Sequence, residues 1–127
     1  MSTYTRIRLT DVDDAAPGLG AGHVQETHFA SHDLGGATGV TYHRFKPGQR
    51  QTFAHRHDAA EETYVVVAGS GRVKLGDDVL DLEPLVAIRV DPPVWRAFEA
   101  GPDGLEVVAF GPHHEGDGEI APGWWAE

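Results

Sequence analysis

Two histidines stand two positions apart, His55 and His57, in the run Phe53-Ala-His-Arg-His-Asp-Ala-Ala-Glu-Glu-Thr-Tyr64. In an extended strand alternate side chains share a face, so both imidazoles project together and Arg56 points away. A short turn over Asp58-Ala-Ala60 returns the chain into the apolar run Glu62–Ala68. Laid antiparallel beside the first strand, that run brings a carboxylate, Glu61 or Glu62, opposite the histidines. Two neutral ring nitrogens and one anionic oxygen suit a divalent metal, which zinc would hold at about 2.0–2.1 Å. Both rings must be unprotonated to donate a lone pair, so such a site weakens in acid.

The elements that must carry this cluster are strands. Turn chemistry recurs at Pro17-Gly18, Gly35-Gly36, Pro47-Gly48, Gly69-Ser-Gly71, Gly76-Asp-Asp78, Asp91-Pro-Pro93 and Gly101-Pro-Asp-Gly104. The runs between are about 5–8 residues long and rich in Val, Tyr, Phe and Thr, as strands are. They predict strands near Thr5–Leu9, Gly39–Lys46, Gln51–His55, Glu62–Ala68, Gly71–Leu75, Val79–Leu82, Val86–Val90, Val94–Glu99 and Leu105–Phe110. No sustained helical repeat intervenes, and the fold class is all-β, a sandwich or barrel. Val73 and Leu75 should face inward, while Val65-Val66-Val67 does not alternate and should be covered on both faces. The barrel is expected over 39–110. Residues 1–38 form an N-terminal segment with strands packing on it. Residues 111–127, rich in Gly, Pro and acid, form a flexible C-terminal tail whose Trp124 and Trp125 dock on the barrel.

Composition narrows the function classes. The chain has 127 residues, 40% hydrophobic and 24% charged, enough for one buried core. With Cys 0, thiol nucleophiles, disulfides and Cys-ligated metals are excluded. Lys+Arg 10 against Asp+Glu 20 gives −10, a surface that repels phosphate backbones and anionic lipid. Neither nucleic acid nor membrane is therefore an expected partner. No apolar run approaches the ~20 residues of a span, and the N-terminus lacks a signal-type apolar core, so the expected location is cytoplasmic. The chain also has no P-loop, dinucleotide fingerprint or Gly-x-Ser-x-Gly elbow.

The spacing His-x-His-x4-Glu-x6-Gly, as His55, His57, Glu62 and Gly69, resembles the first motif of the cupins, small double-stranded β-helix (jelly-roll) barrels. Gly69-Ser-Gly-Arg-Val-Lys-Leu-Gly76, Leu80-Asp-Leu82 and Pro92-Pro93 follow in matching order, so the resemblance covers roughly Gly39 to Phe110. It implies that His55, His57 and Glu62 hold a mononuclear divalent metal: Fe, Mn, Ni or Zn. Only Glu62 leaves six residues before Gly69, and Glu61 should point the opposite way. Six residues, not the usual five, separate Gly48 from His55. The second motif, Gly-x5-Pro-x-Gly-x2-His-x3-Asn, departs throughout. Its defining positions carry Leu85, Asp91, Pro93, Arg96 and Ala100. Arginine thus stands at the fourth-ligand position, with Val94, Arg96 and Phe98 expected to share the inward face.

Guanidinium has no lone pair to give and stays protonated, so Arg96 cannot ligate a metal. Two arrangements follow. In one, three ligands hold a metal that binds or transforms a small organic molecule, as a metal-dependent oxygenase or isomerase would. Tyr64 is then a proton donor, and Arg96 orients a substrate carboxylate. In the other, Glu62 and Arg96 form an internal ion pair in a non-enzymatic, metal-free ligand-binding or dimeric protein. The resemblance also implies a homodimer. Gln51, Phe53, Tyr64, Val66 and Phe98, with His43 or Tyr42, are the remaining candidates for a pocket lining, and His43 offers a further nitrogen.

Overall fold

Short runs of β-branched and aromatic residues between glycine and proline turns do form strands. The computed structural model describes residues 3–113 and 116–125; residues 1–2, 114–115 and 126–127, parts of the expected terminal segments, lie outside it. The strands are β1 (Gln25–Phe29), β2 (Thr38–Phe45), β3 (Phe53–His57), β4 (Glu62–Leu75), β5 (Asp78–Leu82), β6 (Ala87–Val90), β7 (Arg96–Pro112) and β8 (Gly118–Pro122). A single turn of α-helix, α1 (Ser31–Leu34), lies between β1 and β2. All pairings are antiparallel: β1-β2-β7-β3-β8 in order, with β4 joining β5, β6 and β7. The result is one curled sheet closed round a core of Phe45, Tyr64, Val66, Phe98, Leu105 and Val107, among others. Among the described residues no helix is long and apolar enough to cross a membrane.

Two pairs of expected strands are each one long strand. Glu62–Ala68 and Gly71–Leu75 merge in β4, and Val94–Glu99 and Leu105–Phe110 fall in β7. The glycines between them make bulges rather than reversals, with register shifts between Val66 and Ala68 and between Gly69 and Gly71. Gly69 has φ +75°, and a Cβ there would lie 2.1 Å from the Gly104 carbonyl oxygen, so no other residue fits without displacing β7. The first bulge also corrects the reading of the valine run. Val66 is buried, but Val67 at 46% exposure is not covered, because the extra residue turns it outward.

The ends of the chain differ from the sequence reading too. No strand forms over Thr5–Leu9, where Leu9–Asp11 makes a 3-10 turn. Gln25–Phe29, which lacks an apolar run, pairs with β2. Gly118–Pro122, expected in a flexible tail, pairs with all of β3. Beyond it Trp125 packs on Ala54 and Ala97, with the Arg50 guanidinium 4.5 Å from its ring centroid. Lys74 lies 4.7 Å from the Trp124 ring.

Leu85 is the one described non-glycine residue with positive φ, +72°, and it stands where the cupin-type second motif has glycine. The turn therefore has the left-handed backbone that glycine adopts freely, with a leucine in its place. Its side chain is 85% exposed and contributes little packing. Leu85→Gly should stabilise the fold by about 1 kcal/mol, the cost of holding an L-residue in that conformation less the entropy of a glycine. An upward shift of the urea midpoint at constant m-value is the expected readout, and a downward shift contradicts it.

Candidate metal centre

Alternation along β3 points His55 and His57 into the barrel, while Arg56 turns outward to Glu119 at 2.7 Å and over the Trp95 ring. Glu62 is the first residue of β4, opposite Val90 of β6. Strands β3 and β4 are not neighbours, so the expected β3–β4 hairpin is not formed. His55 instead faces Arg96 of β7 on one side and Ile120 of β8 on the other. The carboxylate reaches the imidazoles across the barrel interior, which curling of the sheet permits and a flat hairpin would not.

The Glu62 Oε1 atom lies 3.4 Å from His55 Nε2, 3.5 Å from His57 Nε2 and 3.1 Å from Arg96 Nη1, and it accepts a hydrogen bond from the Tyr64 hydroxyl. The donor atoms of His55, His57 and Glu62 all lie within 4.8 Å of one another. Of the two candidate carboxylates, Glu61 is exposed and sits 3.3 Å from Arg89. The Tyr64 hydroxyl is also 3.2 Å from His55 Nε2.

Arg96 has no exposed surface. Its Nε donates to the Val94 carbonyl at 3.0 Å, and its Nη2 donates to the carbonyls of Asp91 at 2.9 Å and Pro92 at 3.0 Å. Only Nη1 remains, and it meets Glu62. The sequence reading missed Asp117, just before β8. Its carboxylate accepts backbone N–H groups of Asp58, Ala59 and Ala60 and lies 3.4 Å from His57 Nδ1. That contact orients the ring and turns Nε2 toward Glu62, where Nε2 is buried with no hydrogen-bond partner. A lone aspartate among glycines and acids gave no spacing signal.

Burial opposes charge on Glu62, but contacts with His55, His57 and Tyr64 outweigh it, and the carboxyl is held far below the usual carboxylate range. Burial likewise lowers His55, which stays neutral. Burial and the Glu62 charge raise the Tyr64 phenol well above its ordinary value.

Above the cluster opens a cavity of about 540 Å³, walled by Phe29, Phe53, Ile120, Gln25, Thr27 and His43 among others. His55, His57 and Glu62 line it; among the described lining residues Tyr64 and Arg96 do not appear, and both meet Glu62 instead. His43 is not one of the converging donors. Metal bonds of about 2.0–2.1 Å in tetrahedral geometry place ligand atoms roughly 3.4 Å apart. The two imidazole–carboxylate spacings, 3.4 and 3.5 Å, match that edge, and His57 Nε2 has no other use. The residues present therefore fit a three-ligand divalent ion. Arg96 works against it, by about 4 kcal/mol per unit of metal charge at ~4 Å and an effective dielectric near 20.

The barrel agrees with the comparisons. A family model for the cupin domain matches residues 41–110, and the chain belongs to the cupin family. Its structure is similar to a cupin protein from Bacteroides fragilis (17% identity, 91% of this chain and 89% of that one, TM-score 0.69). It is also similar to the polyketide cyclase RemF from Streptomyces resistomycificus (17% identity, 97% and 87%, TM-score 0.73). A third neighbour is Streptomyces PAC13 with uridine (16% identity, 95% and 91%, TM-score 0.70). At such identities the likeness is one of fold. No curated protein matches the chain by sequence.

Acid should weaken the fold in a defined window. Burial, aided by His55, lowers His43 from 6.5 to about 4, so between those values the unfolded chain binds the proton and the folded one does not. Stability is then fully present above pH 6.5 and is lost as pH falls toward 4. Glu62 has the same sign lower down: its contribution is present above about 4.5 and is lost as pH falls below that. Urea titrations of chelator-treated protein should show this decline, shallower between pH 6.5 and 4 in His43→Gln. A flat profile over that window contradicts it.

Proposed function

We propose that this cupin holds a divalent metal ion on His55, His57 and Glu62 and binds or transforms a small organic molecule in the cavity above it. The observation that carries this is the convergence of three donor atoms within 4.8 Å on the cavity wall, one of them a buried nitrogen with no other partner. Iron, manganese, nickel and zinc all accept such a set. When bound, the metal supplies Lewis acidity or oxygen activation at its open positions.

The surrounding residues support the site in distinct ways. Asp117 orients His57 from behind. Tyr64 keeps its proton and donates it in a hydrogen bond to Glu62 beside His55, so from behind the cavity wall it would act on a bound molecule through Glu62. Arg96, enclosed and bonded to three carbonyls, acts through Glu62 and does not grip a substrate carboxylate itself. A second reading is favoured by that same contact. With Glu62 satisfied by Arg96 and Tyr64, the pocket could bind its ligand without a metal.

Metal analysis of untagged protein purified without chelator separates the two. Close to one divalent ion per chain, lost in a folded His57→Ala variant, is the expected result. Substoichiometric metal that His57→Ala leaves unchanged removes the metal and leaves the ion-paired pocket.

A further inference from the structure

Beneath His43 on the cavity wall lie two polar side chains, Gln25 and Thr27, each only 1% exposed. They are alternate residues on the inward face of β1, and Thr27 stands directly opposite His43 in the β1–β2 ladder. Gln25 Nε2 donates to Thr27 Oγ1 at 2.7 Å, and Thr27 Oγ1 lies 3.1 Å from His43 Nδ1. Among the described residues these side chains bond to nothing else, and Gln25 Oε1 is buried without any partner. Aliphatic residues would fill the same space without that desolvation cost.

What the relay accomplishes is to fix the His43 ring. The Thr27 hydroxyl accepts from Gln25, and its own proton has no acceptor among the described residues except Nδ1, whereas an Nδ1–H donor would leave that proton buried and unpaired. Nδ1 is then the acceptor, and the ring proton resides on Nε2. Stacking on Phe45, with centroids 5.6 Å apart, holds the ring plane. Nε2 makes no hydrogen bond among the described residues, while His43 lines the cavity. The ring is neutral, since burial keeps it from protonating until about pH 4.

We infer that His43 offers its Nε2–H to a carbonyl oxygen of an uncharged ligand in the cavity, with Gln25 and Thr27 as the positioning residues that fix its tautomer. The inference rests on the proposed use of this cavity for a small molecule, but not on the metal. The lining selects the ligand class: Glu61, Glu62 and Glu119 are each paired with an arginine behind the wall, and among the described residues no lysine or arginine lines the cavity to bind an anion. In the metal-free cavity a carboxylate ligand would lose its hydration with no cation to replace it, whereas a neutral carbonyl meets an N–H donor in a poorly hydrated wall, where such a bond is strengthened. Phe29, Phe53 and Ile120 take the hydrocarbon part.

Acetophenone, an uncharged aryl ketone, is the probe, used with the full chain after chelator treatment. On binding, its carbonyl stretch should move to lower wavenumber in wild type and not in His43→Phe, with Kd rising about tenfold in the variant. Long-range 1H–15N spectra should show His43 as the Nε2–H tautomer in wild type and as a mixture in the near-isosteric Thr27→Val. An Nδ1–H tautomer in wild type, an unmoved carbonyl band, the same band shift in His43→Phe or no saturable binding overturns the inference. Because the sample is metal-free, these outcomes are separate from the metal count. A shifted band in a chain whose metal count is zero leaves His43 its role, and an unmoved band in the chelator-treated sample removes that role even if the untreated chain carries metal.

Discussion

A guanidinium sealed from water and a carboxylate at its tip organise this barrel. Arg96 is wholly buried, and a charge in that position is tolerable because each of its three nitrogens is hydrogen-bonded. Three of its bonds go to carbonyls of the turn before β7, and the fourth goes to Glu62 at the start of β4. The contact therefore ties the start of β7, which pairs with the far end of β4 at Leu75, across the interior to the start of β4. It also sets where the Glu62 oxygen sits, and hence the point on which His55, His57 and Tyr64 converge. Removing either partner leaves an unpaired charge in the interior, so the fold and the site share one interaction.

Two added strands turn that cluster into a wall of a cavity. On the far side of β3, β8 brings Ile120 opposite His55, and the residue before it, Asp117, settles the ring of His57. At the other edge, β1 places Gln25 and Thr27 under His43. Bulges at Gly69 and in the valine run let β4 and β7 bend far enough to enclose the space between. The site thus depends on backbone irregularities as much as on its donor residues.

Much of this was legible in the chain. Alternation put His55 and His57 on one face, the six-residue gap to Gly69 selected Glu62, and the second-motif alignment put arginine where a fourth nitrogen would be. The all-β class followed from turn spacing. What stayed hidden has physical reasons. Strand β1 is Gln-Glu-Thr-His-Phe, whose buried members Gln25, Thr27 and His28 are polar, so hydrophobic periodicity is blind to it. Strand β8 carries Gly, Glu, Ile, Ala and Pro and is mostly exposed, an edge held by backbone pairing rather than by side chains. Gly69-Ser-Gly71 has the composition of a turn, and only its partner strand makes it a bulge. The enclosure of Arg96 depends on carbonyl directions that residue types do not encode.

The most direct test is calorimetric titration of metal-free wild type and Arg96→His with zinc, both checked for the same β-sheet dichroism. If the guanidinium stands on the oxygen that would ligate the ion, exchanging it for an imidazole removes a repulsion and adds a donor. Zinc affinity should then rise by roughly a hundredfold or more. Equal or weaker binding in the folded variant would contradict the account, because it would mean that residue 96 does not face the atoms of His55, His57 and Glu62.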